Sequence, residues 1–453
     1  MLMKILTLES FGGKAAVSFD NTVPFTLALE ALRDSGGGIL DVSPGVWSTG
    51  PIQLYSNTHL RLSEGAVVFF IPESELYRPV FTRWEGIECW AMHPCIFCSD
   101  QSDVSITGKG CIDGNGVSWW NALRTKIESA QTRPEWPIEL ELARLNPGWE
   151  DQPGGGGGRK FQFLRPPAVQ FYKCRNILVE GITIRNSPFW TLHPVYCDTV
   201  TVSGVTISNP HDAPNTDGMD IDSCSNVLVT GCTIGVGDDG IALKSGSGAD
   251  GIRVNKPTRN VTVRNCTVGD GHGGIVIGSE TAAGMHDILT ENCVFKGTDR
   301  GIRIKTRRGR GGDIYNLTFR NLVMEDNLCP IAINMYYRCG ASFSEKELFS
   351  LSMKPVSDVT PRIRDILISN VRATRCRASA GFLAGLPESP IRNLRMEDCV
   401  FETDEESGIM PGESEMYLGI PEVSAKSFRV LNVLSPVFTN VTVTGPEKPF
   451  TGL

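Results

Sequence analysis

Short runs of alternating apolar and polar residues, broken every few positions by Gly, Asn or Asp, fill most of this chain. A period of two belongs to half-buried β-strands, and the repeating part carries no 3.6-residue helical period. One unit keeps returning: an Asn or Asp followed by aliphatic and β-branched residues. It opens at Asp103, Asn176, Asp198, Asn226, Asn260, Asp287, Asp313, Asp365, Asn393 and Asn440, and from Asp198 to Asp313 the spacing runs from 26 to 34 residues. Units of that size, each with two or three short strands, are expected to wind as a parallel β-helix with turns stacked about 4.8 Å apart. The expected architecture is therefore all-β, one domain over residues 1–453.

The cysteines support the winding independently. Cys232, Cys266, Cys293 and Cys399 each fall six residues after the Asn or Asp that opens their unit. Equivalent positions of a coil lie above one another, so these thiols should form an inward ladder of small hydrophobes. The rival reading, a disulfide framework, stays open because 14 is an even number of cysteines. Cys95 and Cys98 form a lone C-x-x-C with no second pair at zinc-ligand spacing, and read as structural.

Residues 1–60 read as a cap. Phe25, Ala28, Leu29 and Leu32 share one helical face, so a helix is expected over 24–33, capped by Asn21 and ended by Gly36, Gly37 and Gly38. Two long insertions interrupt the repeat. Residues 115–168 hold Trp119, Trp120, Trp136 and Trp149, a glycine run at 154–158, and Arg159, Lys160 and Arg165; residues 326–362 hold Tyr336, Tyr337 and Arg338. Insertions of this kind map to one face of a solenoid, where aromatic and basic side chains suit a sugar or a carboxylate.

Composition narrows the partners. Apolar residues at 41% support a sizeable core, and a net charge of −8 argues against nucleic acid. Cations are nevertheless concentrated locally at Arg300, Arg303, Lys305, Arg307, Arg308 and Arg310, as an acidic ligand would require. No apolar run is long enough to span a membrane, and the first ten residues, interrupted by Glu9, are too short for an export signal core. The expected compartment is the cytoplasm, or a secreted or periplasmic location if a leader has been removed. Nothing in the chain specifies an oligomeric state.

Four polar clusters lie on the repeating background: Asn215-Thr216-Asp217-Gly218, Gly237-Asp238-Asp239-Gly240, Gly271-His272-Gly273 and Arg303-Ile304-Lys305. Alone, each has a plain reading: a turn, a solvated acidic pair or calcium ligand, a surface histidine, a strand with exposed cations. Together they fall on successive turns. Three neighbouring carboxylates cannot all ionise easily, and the resulting split into proton donor and base is what glycoside hydrolysis needs.

The same four clusters resemble the signature motifs of glycoside hydrolase family 28, the polygalacturonases. The resemblance extends to Asp20-Asn21-Thr22, Gly36-Gly37-Gly38, Thr49-Gly50-Pro51-Ile52 and Gly114-Asn115-Gly116, and covers nearly the whole chain. It implies a right-handed parallel β-helix that hydrolyses α-1,4-galacturonosyl bonds with inversion. It implies Asp238 as general acid, Asp217 and Asp239 activating water, His272 supporting the acid, and Asn215, Arg303, Lys305 and Tyr337 at the substrate. Inversion calls for acid and base about 6.5–9.5 Å apart. No cofactor or metal is implied, since Arg303 and Lys305 supply the positive charge. The expected partner is galacturonan or an oligogalacturonide. The insertions at 115–168 and 326–362 would suit blocking one end of a cleft, and the stretch Gln162-Phe163-Leu164-Arg165-Pro166-Pro167 resembles exo-acting bacterial members, so attack from the non-reducing end is expected; an endo enzyme, or a family member acting on substituted galacturonan, is the alternative. A β-helix lyase and a non-catalytic glycan-binding β-helix are the rivals from other classes.

Overall fold

The recurrent Asn and Asp residues occupy left-handed backbone, with φ between 49° and 59° at Asp103, Asn176, Asn226, Asn260, Asp287, Asp365, Asn393 and Asn440. Their short polar side chains tolerate that conformation and bend the chain into its next strand. They also bond between turns: Asn176 Nδ2 donates to Asp103 Oδ1 at 2.9 Å, and Asn393 Nδ2 to Asp365 Oδ1 at 2.7 Å. Two units are offset from the expected phase. The strand register places Thr199, not Asp198, beside Asn226, and Asn316, not Asp313, beside Asp287. Both substitutes hold the left-handed turn, with φ of 60° and 55°.

The computed structural model describes residues 4–151, 164–341 and 345–452. Stacked coils form a right-handed parallel β-helix, with one face a 12-stranded sheet running from Ile52–Leu54 to Phe450–Gly452. Neighbours in that sheet are parallel and one coil apart, for example Asp239–Lys244 on Gly273–Gly278 and that on Arg300–Lys305. The main core is one continuous cluster of aliphatic, aromatic and cysteine side chains. Within it Ile277, Ile304 and Ile333 are stacked in register and fully buried.

Cys232, Cys266 and Cys293 stack on consecutive coils, and Leu322 and Val371 fill the same position before Cys399. A second stack, Cys174, Cys197 and Cys224, runs beside the 12-stranded sheet. All 14 cysteines are free thiols, so the disulfide reading fails.

The cap is smaller than residues 1–60. Gly38–Val42, Gly45–Thr49 and Ile52–Leu54 already form coil strands, and only helix α1 (Thr22–Asp34) with the preceding segment covers the end. Asn21 does not cap α1. Its side chain binds Lys14, Phe19 and Ser48 instead, and Asp20 Oδ1 accepts the Thr22 N–H at 2.8 Å.

The insertion at 115–168 contains two helices, α2 (Val117–Glu128) and α3 (Pro137–Leu145). Trp119 and Trp120 are buried, and Trp119 meets Tyr77 and Trp136 edge to face, so these rings are packing and not sugar platforms. The glycine run 154–158, Arg159, Lys160, Gln162 and Phe163 lie outside the described residues. Within 326–362, Cys329–Asn334 is an ordinary strand of the 12-stranded sheet, and the departure begins after it. Among the described residues, no helix is long and apolar enough to cross a membrane.

The isoleucine column predicts a local sensitivity. Ile304→Ala leaves a cavity between Ile277 and Ile333 and should cost about 2–5 kcal/mol, read as a shift in the denaturant midpoint.

Candidate active site

Met219–Asp222, Asp239–Lys244, Gly273–Gly278 and Arg300–Lys305 are consecutive strands of the 12-stranded sheet and form the floor of a groove. Ile221, Leu243, Ile277 and Ile304 stack inward. The period of two then turns the residues on either side of Ile304, Arg303 and Lys305, to the outer face. Asp217 and Asp238 lie just before their strands, in the turns that lead onto this face.

One carboxylate oxygen from each of Asp217, Asp238 and Asp239 lies within 4.8 Å of the others. Asp239 is fully buried; Arg303 Nη1 donates to its Oδ1 at 2.7 Å and Lys305 Nζ to its Oδ2 at 2.5 Å. Asp238 is the accessible member, with 19% of its side chain exposed, whereas Asp217 is buried. His272 stands over Asp238, its Nδ1 at 3.2 Å from Oδ1 and its backbone N–H donating to the Asp238 carbonyl at 2.7 Å. That approach needs Gly271: its φ is +120°, and a Cβ there would lie 2.6 Å from the Asp238 carbonyl oxygen.

The three acids are held in different states. Burial raises the Asp217 carboxyl well above the usual range, and the charge of Asp238 raises it further. Burial also works to raise Asp238, but His272 outweighs it and leaves that carboxyl low. For Asp239 burial is overcome by Lys305 and Arg303, which hold it far below the usual range. The Asp238 charge in turn raises His272 above the ordinary histidine value.

Asn215 and Tyr337 join these residues around a cavity of about 310 Å³. Asn215 Oδ1 accepts from Arg165 Nη2 at 3.2 Å, and the Tyr337 ring lies 5.6 Å from the Arg303 guanidinium and 5.4 Å from the Lys305 ammonium. Seven of the eight residues expected at a site thus line one cavity, and Asp239 is buried against two of them, Arg303 and Lys305. Of the six clustered cations only Arg303 and Lys305 reach the floor. Arg307 and Arg310 brace the carbonyl of Cys339, Arg308 pairs with Glu388, and Arg300 donates to the His272 carbonyl.

Sequence reasoning missed Lys244, Glu280 and Trp190, which also line the cavity. Lys244 Nζ is 3.1 Å from Glu280 Oε2 and 4.5 Å from the Trp190 ring centroid. A signal was present: Gly240-Ile241-Ala242-Leu243-Lys244 repeats the pattern of Gly301-Ile302-Arg303-Ile304-Lys305 two rungs on.

Two expectations meet the geometry differently. The three carboxylates are a donor set that could hold a divalent cation, but such an ion would have to displace Arg303 and Lys305 from Asp239. The acid-to-base gap of about 6.5–9.5 Å expected for inversion is not met by the nearest oxygens.

The stacked parallel coils define a parallel β-helix that carries three clustered carboxylates in a groove on its 12-stranded sheet. Residues 149–410 match the family "Glycosyl hydrolases family 28", and the chain belongs to that family. A probable polygalacturonase of Vitis vinifera is 31% identical over 70% of this chain, a match spanning 60% of that protein's own length. An exo-poly-alpha-D-galacturonosidase of Dickeya chrysanthemi is 26% identical over 73% of this chain and 56% of its own length. The solved exopolygalacturonase of Thermotoga maritima is 30% identical, with a TM-score of 0.76 over 96% of this chain and 92% of that one.

The Asp239 pairing predicts a pH signature. A depressed carboxyl stabilises the fold above its unfolded value, about 3.9, and that contribution fades as pH falls through the folded value. Lys305→Met raises the folded value, so the variant should lose stability on acidification at a higher pH than the wild type, followed by thermal melts across the acid range.

Proposed function

We propose that this chain hydrolyses α-1,4-galacturonosyl bonds of polygalacturonate or oligogalacturonides with inversion, trimming chains from the non-reducing end. One observation carries the reading: three carboxylates within 4.8 Å of each other, beside Arg303 and Lys305, on a chain of a glycosyl hydrolase family. Asp238 is the general acid, because it is the most open of the three to a glycosidic oxygen. The proton it delivers is the one shared with His272 across 3.2 Å; substrate that expels water favours the neutral pair over the ion pair. Asp217, with its raised pKa, takes a proton from the attacking water once it is ionised. Asp239, expected to share in activating that water, has no exposed surface; it stays charged and holds Arg303 and Lys305 in place. Arg303 and Lys305 meet the uronate carboxylate, Tyr337 packs against the sugar, and Asn215 binds a hydroxyl.

A second assignment has its own support. The raised carboxyl is Asp217, which could donate the proton while Asp238 acts as base. Substrates with an activated aryl leaving group separate the two, because they need little acid help. Asp238→Asn should keep its fold, lose about 10²–10⁴-fold in rate on polygalacturonate, and recover on an aryl galacturonide. Recovery by Asp217→Asn instead would exchange the two roles. Proton NMR of early wild-type digests tests the whole reading: new reducing ends should be β, with mono- or digalacturonate from the start. A mixture of long oligomers means endo attack, and an unsaturated product absorbing in the ultraviolet means a lyase.

Both limbs of the pH–rate profile should lie high. Activity requires a proton on the His272–Asp238 pair, which is lost as pH rises through the His272 value, above the ordinary 6.5. It also requires ionised Asp217, lost as pH falls through a value raised above 3.8. His272→Ala should move the alkaline limb and leave the acid limb in place, measured as kcat/KM against pH.

A further inference from the structure

Pro79–Trp84 and Ile87–Met92 form an antiparallel hairpin that belongs to no coil. It lies on the outer face of the rungs before the acid cluster, where the groove would otherwise continue. Thr82 Oγ1 donates to Gln170 Oε1 at 2.7 Å, and Val80 packs on a separate apolar cluster of Phe97, Tyr172, Val195 and Tyr196. Trp84 stacks on Phe189 with ring centroids 4.9 Å apart. The Gly86 carbonyl accepts the Ser247 N–H at 2.9 Å, and Glu85 at the tip lines the cavity with Asp217 and Asp238.

A buried ion pair ties this hairpin to the sheet as well. Arg83 is fully buried; its Nη1 donates to Asp222 Oδ1 at 2.9 Å and to Ser223 Oγ at 2.7 Å, and its guanidinium lies 4.9 Å from the Tyr196 ring centroid. Asp222 sits one rung below Lys244 on the groove floor. Space for the guanidinium depends on Gly246, where a Cβ would lie 1.8 Å from Arg83 Nη2. A buried pair of this kind adds little net stability, yet removing one partner strands the other, so it holds its elements in one arrangement.

We propose that hairpin 79–92 is the end wall of the groove and that Arg83 is the residue positioning it. The acid cluster then receives only the terminus of an acidic polysaccharide, because a chain passing along the sheet would have to run through the hairpin. The inference deepens the end-trimming part of the proposed function and rests on it.

The test compares wild type, Arg83→Met, Arg83→Lys and a variant in which 81–90 is replaced by an Asn-Gly turn, on polygalacturonate of high molecular weight. Product sizes early in the reaction, viscosity lost per bond broken and thermal melting are measured. Wild type and Arg83→Lys should release short product alone. Arg83→Met and the shortened hairpin should release longer oligomers, with viscosity falling several-fold faster per bond broken. Should either of these variants melt like the wild type and still give only the short product, the end wall is wrong while end-trimming stands. Should Arg83→Met and the shortened hairpin both fail to fold, an oligogalacturonide blocked at the non-reducing end and given to the wild type decides: its cleavage overturns the wall, and resistance supports it. A wild type that gives long oligomers from the start overturns both the wall and end-trimming, and leaves galacturonan hydrolysis untouched.

Discussion

Asp239 has no contact with solvent, and each of its oxygens faces a cation from two rungs away. A buried carboxylate is tolerable only with such pairing. Once it is locked in the charged state, its neighbours within 4.8 Å must share what proton there is. Asp217 is pushed up by burial and by the charge of Asp238, and Asp238 is steadied by His272, so the three carboxyls are held in unlike states. Arg303 and Lys305 reach Asp239 because Ile304 between them is buried against Ile277 and Ile333, which fixes the outward direction of both. Core packing and site electrostatics are therefore one constraint.

That coupling explains why the site was legible in the sequence and its surroundings were not. The four polar clusters fall on a repeating coil, so spacing alone brings Asp217, Asp238, Asp239, His272, Arg303 and Lys305 to one face. The phase of single units was less certain, since Thr199 can hold the left-handed turn expected of Asp198. Hairpin 79–92 was invisible for a physical reason: its strands use the residue types of coil strands, and their antiparallel partner is local and not one repeat away. Helices α2 and α3 hid within a segment whose tryptophans suggested sugar contacts but serve as packing. Lys244 was overlooked because its rung carries Ala242 where the next cationic rung carries Arg303, although the surrounding pattern is the same.

The outer face of the 12-stranded sheet shows how a repeating fold confines chemistry to a few rungs. One outward column reads Gln170, His193, Asp220, Ala242, Val276, Arg303, Ala332, Phe382 and Arg429. At its low end Gln170 bonds Thr82 of the hairpin. At its high end Phe382 is covered by a stacked Tyr417, and Arg429 pairs with Glu415 in the interior. Each cover is thus anchored by a fully buried arginine–carboxylate pair, Arg83 with Asp222 and Arg429 with Glu415. A β-helix offers the same backbone at every turn, so its regular geometry cannot by itself say where a ligand stops. Here the limits come from segments outside the repeat, each tied to the sheet by a buried ion pair. The short stretch of floor left between them is where the sequence places its acids.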